Sequence, residues 1–260
     1  MPKFFRIAII GAGNVAWHLA KEFENAGHYV TDIYSRRLSS ARELANRLYD
    51  TKVTNSLDLT SSKSEIFILA VQDDSLHEVV DQLKIPSYGV IAHTSGTQPL
   101  DVLTEYYENS GVFYPLQTFT KGVSTELEEV PICIEASNSS TEGILMHLGE
   151  SISREVYSLH SEDRKILHLA AVFACNFSNH MYTIAQDILE HHCIEFSMLH
   201  SLIAETVNKA LSVGPIDAQT GPAQRGDKEI IKSHLKRLKE FPDYRKIYKV
   251  ISDHIGDNYY

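Results

Sequence analysis

Residues 6–16 have the sequence Arg-Ile-Ala-Ile-Ile-Gly-Ala-Gly-Asn-Val-Ala, in which an apolar run meets a glycine-rich turn. The run predicts a buried strand, and the residues after the turn predict a helix. Gly11 permits the tight turn, and Gly13 lets the backbone come close to a pyrophosphate. Asn14 and Val15 open the helix, whose unpaired N–H groups attract phosphate. The segment therefore predicts a dinucleotide site, with a purely structural glycine turn as the alternative.

Outward from this turn, short apolar runs alternate with helical stretches over the first part of the chain. Further strands are predicted at 29–34, 66–71, 90–93, 112–114 and 132–135, and further helices at 39–49 and 75–83. Continuous apolar strands separated by helices are typical of a parallel sheet that is covered on both faces. We therefore predict an α/β domain with a doubly wound, Rossmann-type parallel sheet over residues 1–159.

After this domain the apolar residues recur with the helical period of 3.6. Helices are predicted from Ser161, over 196–212, over 227–240 and from Pro242, so we expect an all-helical domain over residues 160–260. The segment 166–186 has no charged residue and is long enough to span a bilayer. It also contains histidine, asparagine, serine and threonine side chains, which are costly in hydrocarbon. We therefore predict a buried helix rather than a membrane span.

The charge balance excludes several classes of partner. Acidic residues outnumber basic residues by 34 to 24, which gives a net charge of −10. Nucleic acid and anionic membrane surfaces repel such a chain and are not expected to bind it. The three cysteines form no C-x-x-C pair, and the apolar run after Met1 is too short for a signal peptide, which favours a cytoplasmic protein. His191, His192 and Cys193 are adjacent and point in different directions, so no metal site is predicted.

The end of the second predicted strand indicates which dinucleotide would bind. NAD sites usually place an acidic residue there, about 20 residues after the glycines, to bind the ribose. This chain has Ser35, Arg36 and Arg37 at that position, and Asp32 lies three residues earlier, inside the strand. A hydroxyl and two guanidinium groups would bind a 2′-phosphate by charge-assisted hydrogen bonds. The sequence therefore favours NADP over NAD, unless the arginines are only a solvated loop.

Several segments together resemble a known superfamily. They are the glycine-rich turn, Ser35–Arg37, Ala70–Asp73, His93–Gly96, Tyr114–Phe119, His168–His180 and Gly221–Asp227. The chain resembles the group of pyrroline-5-carboxylate reductases, β-hydroxyacid dehydrogenases and deazaflavin-dependent NADP reductases. Within that group it is similar to a family that couples a Rossmann-like domain to a helical domain of unknown function. The resemblance implies a C-terminal domain like that of 6-phosphogluconate dehydrogenase, through which two chains form a homodimer.

The same resemblance implies positions for the nicotinamide and the substrate. Val71 and Gln72 would line the nicotinamide-ribose side of the cofactor. Thr94, Ser95 and Gly96 form a turn where hydroxyacid dehydrogenases bind the substrate carboxylate through hydroxyl and backbone N–H groups. An ordinary polar turn at the end of the strand is the alternative.

The uncharged helix supplies the candidates for catalysis. Hydroxyacid dehydrogenases have a lysine and an asparagine one turn apart on the equivalent helix, but here Lys165 is followed four residues later by Leu169. His168 is the substitute candidate for the proton donor, because histidine side chains titrate near neutral pH. Asn176 would orient the substrate. The alternative is that both side chains only make hydrogen bonds in the core.

A loop near the C-terminus supplies one further candidate. Arg225 follows a Gly-Pro turn and would bind a substrate carboxylate with two hydrogen bonds. The alternative is an ion pair with Asp227 that caps the following helix.

These features predict an NADP-dependent oxidoreductase. It would transfer a hydride to or from a small carbonyl or imine compound bound between the two domains. A non-catalytic NADP-binding sensor or scaffold is one alternative, and it explains the missing lysine–asparagine pair. An NADP reductase linked to a flavin or deazaflavin is the other.

Overall fold

The computed structural model describes residues 4–259. Residues 1–3, which belong to the segment considered for a signal peptide, and residue 260 lie outside the described part. The chain forms two compact units that meet between Cys175 and Asn176. The predicted domain boundary at 159/160 lies earlier, where the helical segment begins, and stays a prediction.

The first unit is built on an eight-stranded sheet in the order β3-β2-β1-β4-β5-β6-β7-β8. The strands are β1 (Arg6–Ile10), β2 (Tyr29–Tyr34), β3 (Lys52–Thr54), β4 (Ile66–Leu69), β5 (Val90–His93), β6 (Ser110–Pro115), β7 (Ile132–Ala136) and β8 (Val156–Ser158). All neighbouring strands are parallel except β6 and β7, which are antiparallel. The prediction of a doubly wound Rossmann-type sheet is therefore confirmed, with one reversed step near its edge.

Helices connect most of these strands. They are α1 (Asn14–Asn25), α2 (Leu38–Ala45), α3 (Asp73–Gln82), α4 (Asp101–Thr104), α5 (Ser139–Glu150) and α6 (Ser161–Ala171). The α1 helix ends where Gly27 adopts a φ of +89° and the N–H of His28 returns to the carbonyl of Phe23. The α5 helix begins where the Asn138 side chain accepts the N–H of Thr141 at 2.9 Å. The sequence analysis missed α4, α5, β3 and β8.

The order of the strands places a crevice beside β1. From β1 the sheet continues through β2 and β3 in one direction and through β4, β5 and β6 in the other. The connections after β1 and β4 therefore leave opposite sides of one gap, at the carboxyl ends of the strands, which is where open α/β sheets bind ligands. Apart from Arg6, the residues of β1 and β4 are buried, so the crevice stands on the buried centre of the sheet.

The second unit is entirely helical. The helix that starts at Ser161 passes through a π-helical turn at Val172–Phe177 and continues as α7 (Ser178–His191). A 3₁₀ turn at Phe196–Leu199 leads into α8 (His200–Val213), followed by α9 (Pro215–Ala218), α10 (Lys228–Arg237), a second 3₁₀ turn at Leu238–Glu240 and α11 (Pro242–Tyr259). None of the helices in the described part of the chain is long and apolar enough to cross a membrane.

The prediction that 166–186 is a buried helix is wrong for the single chain. Ile166 is 67% exposed, Leu169 is 54% exposed and Phe173 is 63% exposed. Among the described residues of the second unit, Leu238 is the only apolar side chain that is buried. The absence of charged residues in a helix therefore does not show that the helix is buried within its own chain.

Candidate functional site

A pocket of about 250 Å³ opens at the carboxyl ends of β1, β2 and β4. Its walls come from the glycine-rich turn, the end of β2 with the start of α2, and the connection from β4 to α3. They are Gly11, Ala12, Gly13, Tyr34, Ser35, Arg36, Arg37, Ser40, Ala70, Val71, Gln72, Ser75 and Val79. The structure thus places the residues predicted to bind the cofactor, apart from the first two of α1, in the wall of one pocket.

The two glycines of the turn have different surroundings. Gly11 has a φ of +123°, and a Cβ at this position would lie 2.1 Å from the carbonyl oxygen of Ala70. Any larger residue would therefore force the turn away from β4. Gly13 precedes α1, and a Cβ there would meet nothing within 4 Å, so the space in front of it is open.

The open space at Gly13 fits a phosphate group. No side chain caps the start of α1, so the N–H groups of Asn14 and Val15 point from an uncapped helix N-terminus. Such a terminus attracts anions through its N–H groups and its dipole. No acidic residue lines the pocket among the described residues, so nothing there repels a pyrophosphate.

The end of β2 adds two cations to this pocket. Arg36 and Arg37 are exposed, and neither side chain makes an ion pair or hydrogen bond with any residue between 4 and 259. Asp32 is occupied elsewhere, because its carboxylate accepts the hydroxyls of Thr31 at 2.9 Å and Ser62 at 2.7 Å. The free charge at the tip of β2 is therefore positive, as a 2′-phosphate requires.

The hydroxyl groups of the turn after β5 already have hydrogen-bond partners. The hydroxyl of Thr94 donates to the carbonyl of Leu69 at 3.2 Å. The hydroxyl of Ser95 accepts the N–H groups of Thr97 at 3.1 Å and Gln98 at 3.0 Å. These contacts favour the polar-turn alternative for both residues, and their role in substrate binding stays a prediction.

Gly96 in the same turn packs against two side chains from distant elements. The hydroxyl of Tyr114 on β6 lies 3.0 Å from Nδ1 of His168 on α6, and their rings meet edge to face with centroids 6.0 Å apart. A Cβ on Gly96 would lie 2.7 Å from Nδ1 of His168 and 2.8 Å from Cζ of Tyr114. The turn, the strand and the helix therefore meet only because residue 96 is glycine.

This meeting point is linked to the pocket at the ends of β1, β2 and β4. Thr97, one residue after Gly96, donates its hydroxyl to the carboxylate of Asp73. Asp73 is the first residue of α3 and directly follows Gln72 in the pocket wall. His168 is half-buried, so its ring is in partial contact with solvent.

Arg164 holds α6 against the sheet, and the sequence analysis missed it. Its side chain is fully buried, with Nη1 2.5 Å from a carboxylate oxygen of Glu135 and Nη2 2.6 Å from the carbonyl of Gln98. Burial alone would raise the pKa of Glu135, but hydrogen bonds from Ser161 and Arg164 lower it overall. No signal in a single sequence marks one arginine as buried, because arginine is usually a surface residue.

His93 lies beneath the turn and is fully buried. Its Nδ1 accepts the N–H of Ser95 at 3.2 Å, so its Nε2 carries the proton and donates to the carbonyl of Pro99 at 3.2 Å. Burial lowers the pKa of His93 to about 4, with a further lowering by the charge of Arg164. The neutral ring is therefore part of the support for the turn.

Asn176 and Arg225 belong to the second unit. Asn176 is exposed and lies in the π-helical turn, so it makes no core hydrogen bond of the kind the alternative predicted. Arg225 pairs with Asp227, at 2.9 Å from Nε and 2.7 Å from Nη2, as the ion-pair alternative predicted. The capping part of that alternative is wrong, because the Asp227 side chain makes no capping hydrogen bond to α10.

Two family models match the chain. One describes a Rossmann-like domain and matches residues 2–117, and the other describes a domain of unknown function, DUF2520, and matches residues 130–255. The second model begins before β7, so it includes β7, α5 and β8 as well as the later helices, and the predicted boundary at 159/160 stays a prediction. No curated protein matches the sequence.

Solved structures with the same fold include one relative of substantial identity. A protein from Bacteroides fragilis, described as a candidate NADP oxidoreductase, is 36% identical, with 98% of each chain covered and a TM-score of 0.90. A protein from Thermotoga maritima is 21% identical, with 96% of this chain and 99% of that chain covered and a TM-score of 0.77. A reductive aminase from Aspergillus terreus, in complex with NADPH and ethyl-5-oxohexanoate, is 11% identical, with 90% and 78% covered and a TM-score of 0.63. The last two show the fold alone.

The buried state of His93 predicts a loss of stability in acid. The unfolded chain binds a proton near pH 6.5, whereas folded His93 binds one only near pH 4. The contribution of neutral His93 to the free energy of unfolding is therefore fully present above pH 6.5. It disappears as the pH falls to about 4, a loss on the order of 3 kcal/mol. We expect the urea midpoint to fall less steeply over this pH range in His93→Gln than in the wild type.

The matched control is His77→Gln, at an exposed position on α3. This substitution should leave the pH dependence of the urea midpoint as it is in the wild type. Equal slopes in the wild type and His93→Gln would show that His93 does not titrate below its ordinary pKa in the folded protein.

Proposed function

Because this chain belongs to the family that joins a Rossmann-like domain to a DUF2520 domain, we propose that it is an NADP-dependent oxidoreductase acting on a small carbonyl or imine compound. The observation that supports this most is the pocket at the end of β1, where an uncapped helix N-terminus faces open space and two unpaired arginines stand at its rim. The description of the Bacteroides fragilis relative as an NADP oxidoreductase points the same way.

Each part of the cofactor has residues in the pocket that fit it. Gly13 and the N–H groups of Asn14 and Val15 would bind the pyrophosphate, and Ser35 with the two following arginines would bind the 2′-phosphate. Val71 and Gln72 would contact the nicotinamide ribose. When bound, the nicotinamide supplies or accepts the hydride.

His168 would transfer the proton that accompanies the hydride. Its ring packs beside Gly96, and the next residue, Thr97, is hydrogen-bonded to Asp73 beside the pocket wall. Its Nε2 has no hydrogen-bond partner within residues 4–259, while Nδ1 is bonded to Tyr114. The proposal does not require Asn176 or Arg225, because the structure shows one of them exposed and the other in an ion pair.

A non-catalytic NADP-binding sensor is the second candidate. The sequence lacks the lysine–asparagine pair of hydroxyacid dehydrogenases, and Lys165, the lysine closest in sequence to His168, pairs with Glu162 at 2.7 Å. A sensor would bind NADPH without transferring its hydride.

The arginines at the tip of β2 predict selectivity for NADPH. In a titration that follows nicotinamide fluorescence, we expect NADPH to bind at least tenfold more tightly than NADH, which is about 1.4 kcal/mol. The double variant Arg36→Ala/Arg37→Ala should lose this preference, with the affinity for NADH unchanged within twofold. Trp17, the only tryptophan of the chain, provides a second optical signal in α1.

Arg42→Ala is the control, because Arg42 is an exposed residue of α2 that does not line the pocket. This variant should keep the preference of the wild type. If the double variant kept it as well, the arginines would not bind the 2′-phosphate. If the wild type bound neither cofactor, the glycine turn would be structural and the proposed function would be wrong.

Removal of the His168 imidazole should abolish turnover while cofactor binding is retained. Candidate carbonyl, imine and flavin-type acceptors are screened with the wild type by the loss of NADPH absorbance. With the best acceptor, we expect His168→Ala to lower kcat by 100-fold or more, as expected for loss of a general acid. Its affinity for NADPH should stay within twofold of the wild-type value.

His77→Ala controls for the loss of a histidine elsewhere in the same unit. Normal turnover in His168→Ala would remove His168 from the mechanism. Tight binding of NADPH by the wild type, with no oxidation by any acceptor, would support the sensor instead.

We also propose that two chains associate through the helical unit. Its described residues bury one apolar side chain, Leu238, while Met198, Leu202 and Leu211 are 71%, 60% and 82% exposed. Helices that bury so little apolar surface cannot offset the entropy of ordering their chain. A second copy offers the same apolar surface, so a symmetric dimer would cover both.

This association predicts twice the mass of one chain in light scattering. It also predicts an unfolding midpoint that rises with protein concentration. The variant Met198→Lys/Leu202→Lys should become monomeric and lose helical circular dichroism. The control Asn208→Lys adds the same kind of charge at a polar, exposed position of α8 and should remain dimeric. A wild-type monomer with a concentration-independent midpoint would contradict the dimer.

A further inference from the structure

The hydrogen bond between Tyr114 and His168 determines where the proton of the imidazole lies. Burial raises the pKa of Tyr114 to about 12, with a smaller rise caused by the neighbouring Cys133, so the phenol keeps its proton. Nδ1 of His168 lies 3.0 Å from this hydroxyl, so the phenol O–H is placed to donate to it. A neutral His168 that accepts this bond must carry its own proton on Nε2.

The surroundings of Tyr114 restrict its hydroxyl to this one partner. The side chain is 8% exposed, and its ring packs beside Gly96 and meets the ring of His168 edge to face. No other side chain or backbone group bonds to the hydroxyl within residues 4–259. A histidine with its proton on Nδ1 would instead donate to the phenol oxygen and leave the phenol O–H without an acceptor, which costs free energy.

We propose that Tyr114 is a positioning residue that holds His168 in the tautomer with the proton on Nε2, the nitrogen that has no partner in the described part of the chain. As the hydride adds to the substrate carbon, Nε2 gives its proton to the carbonyl oxygen or imine nitrogen, and the phenol passes its own proton to Nδ1, so the imidazole stays neutral. Solvent then reprotonates Nε2, since His168 is half-buried, and Nδ1 returns its proton to the phenol. The bond between Nδ1 and the phenol limits ring rotation throughout. The catalytic part of this role rests on the proposed function, whereas the tautomer rests on the geometry alone.

The tautomer can be observed directly in the 260-residue protein labelled with ¹⁵N-histidine. Long-range ¹H–¹⁵N spectra at about pH 8, where an ordinary histidine is neutral, should show His168 with a protonated Nε2 and an unprotonated Nδ1. The His168 signals are identified by their absence in His168→Gln. In Tyr114→Phe, which keeps the ring and removes the hydroxyl, we expect both tautomers, with the two nitrogen shifts moving toward each other.

Tyr107→Phe is the matched control. Tyr107 is half-buried and donates its hydroxyl to the carbonyl of Leu83 at 2.7 Å, so this variant loses a comparable hydrogen bond away from His168. Its His168 signals should equal those of the wild type. Gly96→Ala is a second test, because the added Cβ would press on both rings and should also mix the tautomers.

Turnover separates the positioning role from a merely structural one. With the acceptor found for the wild type, Tyr114→Phe should lower kcat at least tenfold, with KM and the affinity for NADPH unchanged within twofold. An unchanged tautomer in Tyr114→Phe, or a mixed tautomer with normal kcat, would overturn the proposal. If the wild type fails to bind NADPH, the proposed function fails, while the spectra still decide whether Tyr114 sets the tautomer.

Discussion

The ion pair between Arg164 and Glu135 is the contact on which the candidate site depends. A fully buried guanidinium group needs a matching charge and hydrogen bonds, and here Nη1 and Nη2 have them, while Nε has no hydrogen-bond partner in the described part of the chain. Glu135 on β7 provides the charge, and the carbonyl of Gln98 provides an acceptor from the turn after β5. One side chain of α6 thereby fixes the helix to a strand and to a loop. His168, one turn later on the same helix, takes its position from this anchor.

Two close approaches of the backbone define the two halves of the site. At Gly11 the turn after β1 lies so close to Ala70 that no side chain fits, and at Gly96 the turn after β5 lies equally close to His168 and Tyr114. Both glycines stand at carboxyl ends of parallel strands, on either side of β4. The first approach fixes the turn in which Gly13 faces open space, and the second brings the ring of His168 to the sheet. The hydrogen bond from the Thr97 hydroxyl to Asp73, the residue after Gln72, joins the two halves of the site.

Local patterns could be predicted from the sequence, and distant pairings could not. The strand, turn and helix of residues 6–16 follow one another directly, and β2 lies at the predicted residues. The pairing of Tyr114 with His168 joins positions 54 residues apart, which no periodicity connects. The apolar composition of β7 does not depend on the direction in which the strand runs. The sequence therefore could not predict that β7 is antiparallel to β6. The α5 helix was missed because Gly143 and Gly149 weaken its helical pattern.

The uneven distribution of buried side chains has a consequence for the order in which the protein matures. The sheet unit contains nearly all of the buried apolar residues, so its core is complete once β8 and α6 have left the ribosome. The helices that follow bury little apolar surface by themselves, so folding stabilises them little until another apolar surface packs against them. If two chains pair through the helical unit as proposed above, newly made chains would complete these helices only on meeting each other, and the cellular concentration of the protein would set how long that takes. During this interval the uncovered leucines, isoleucines and phenylalanines are the surface that chaperones recognise and that aggregation exploits.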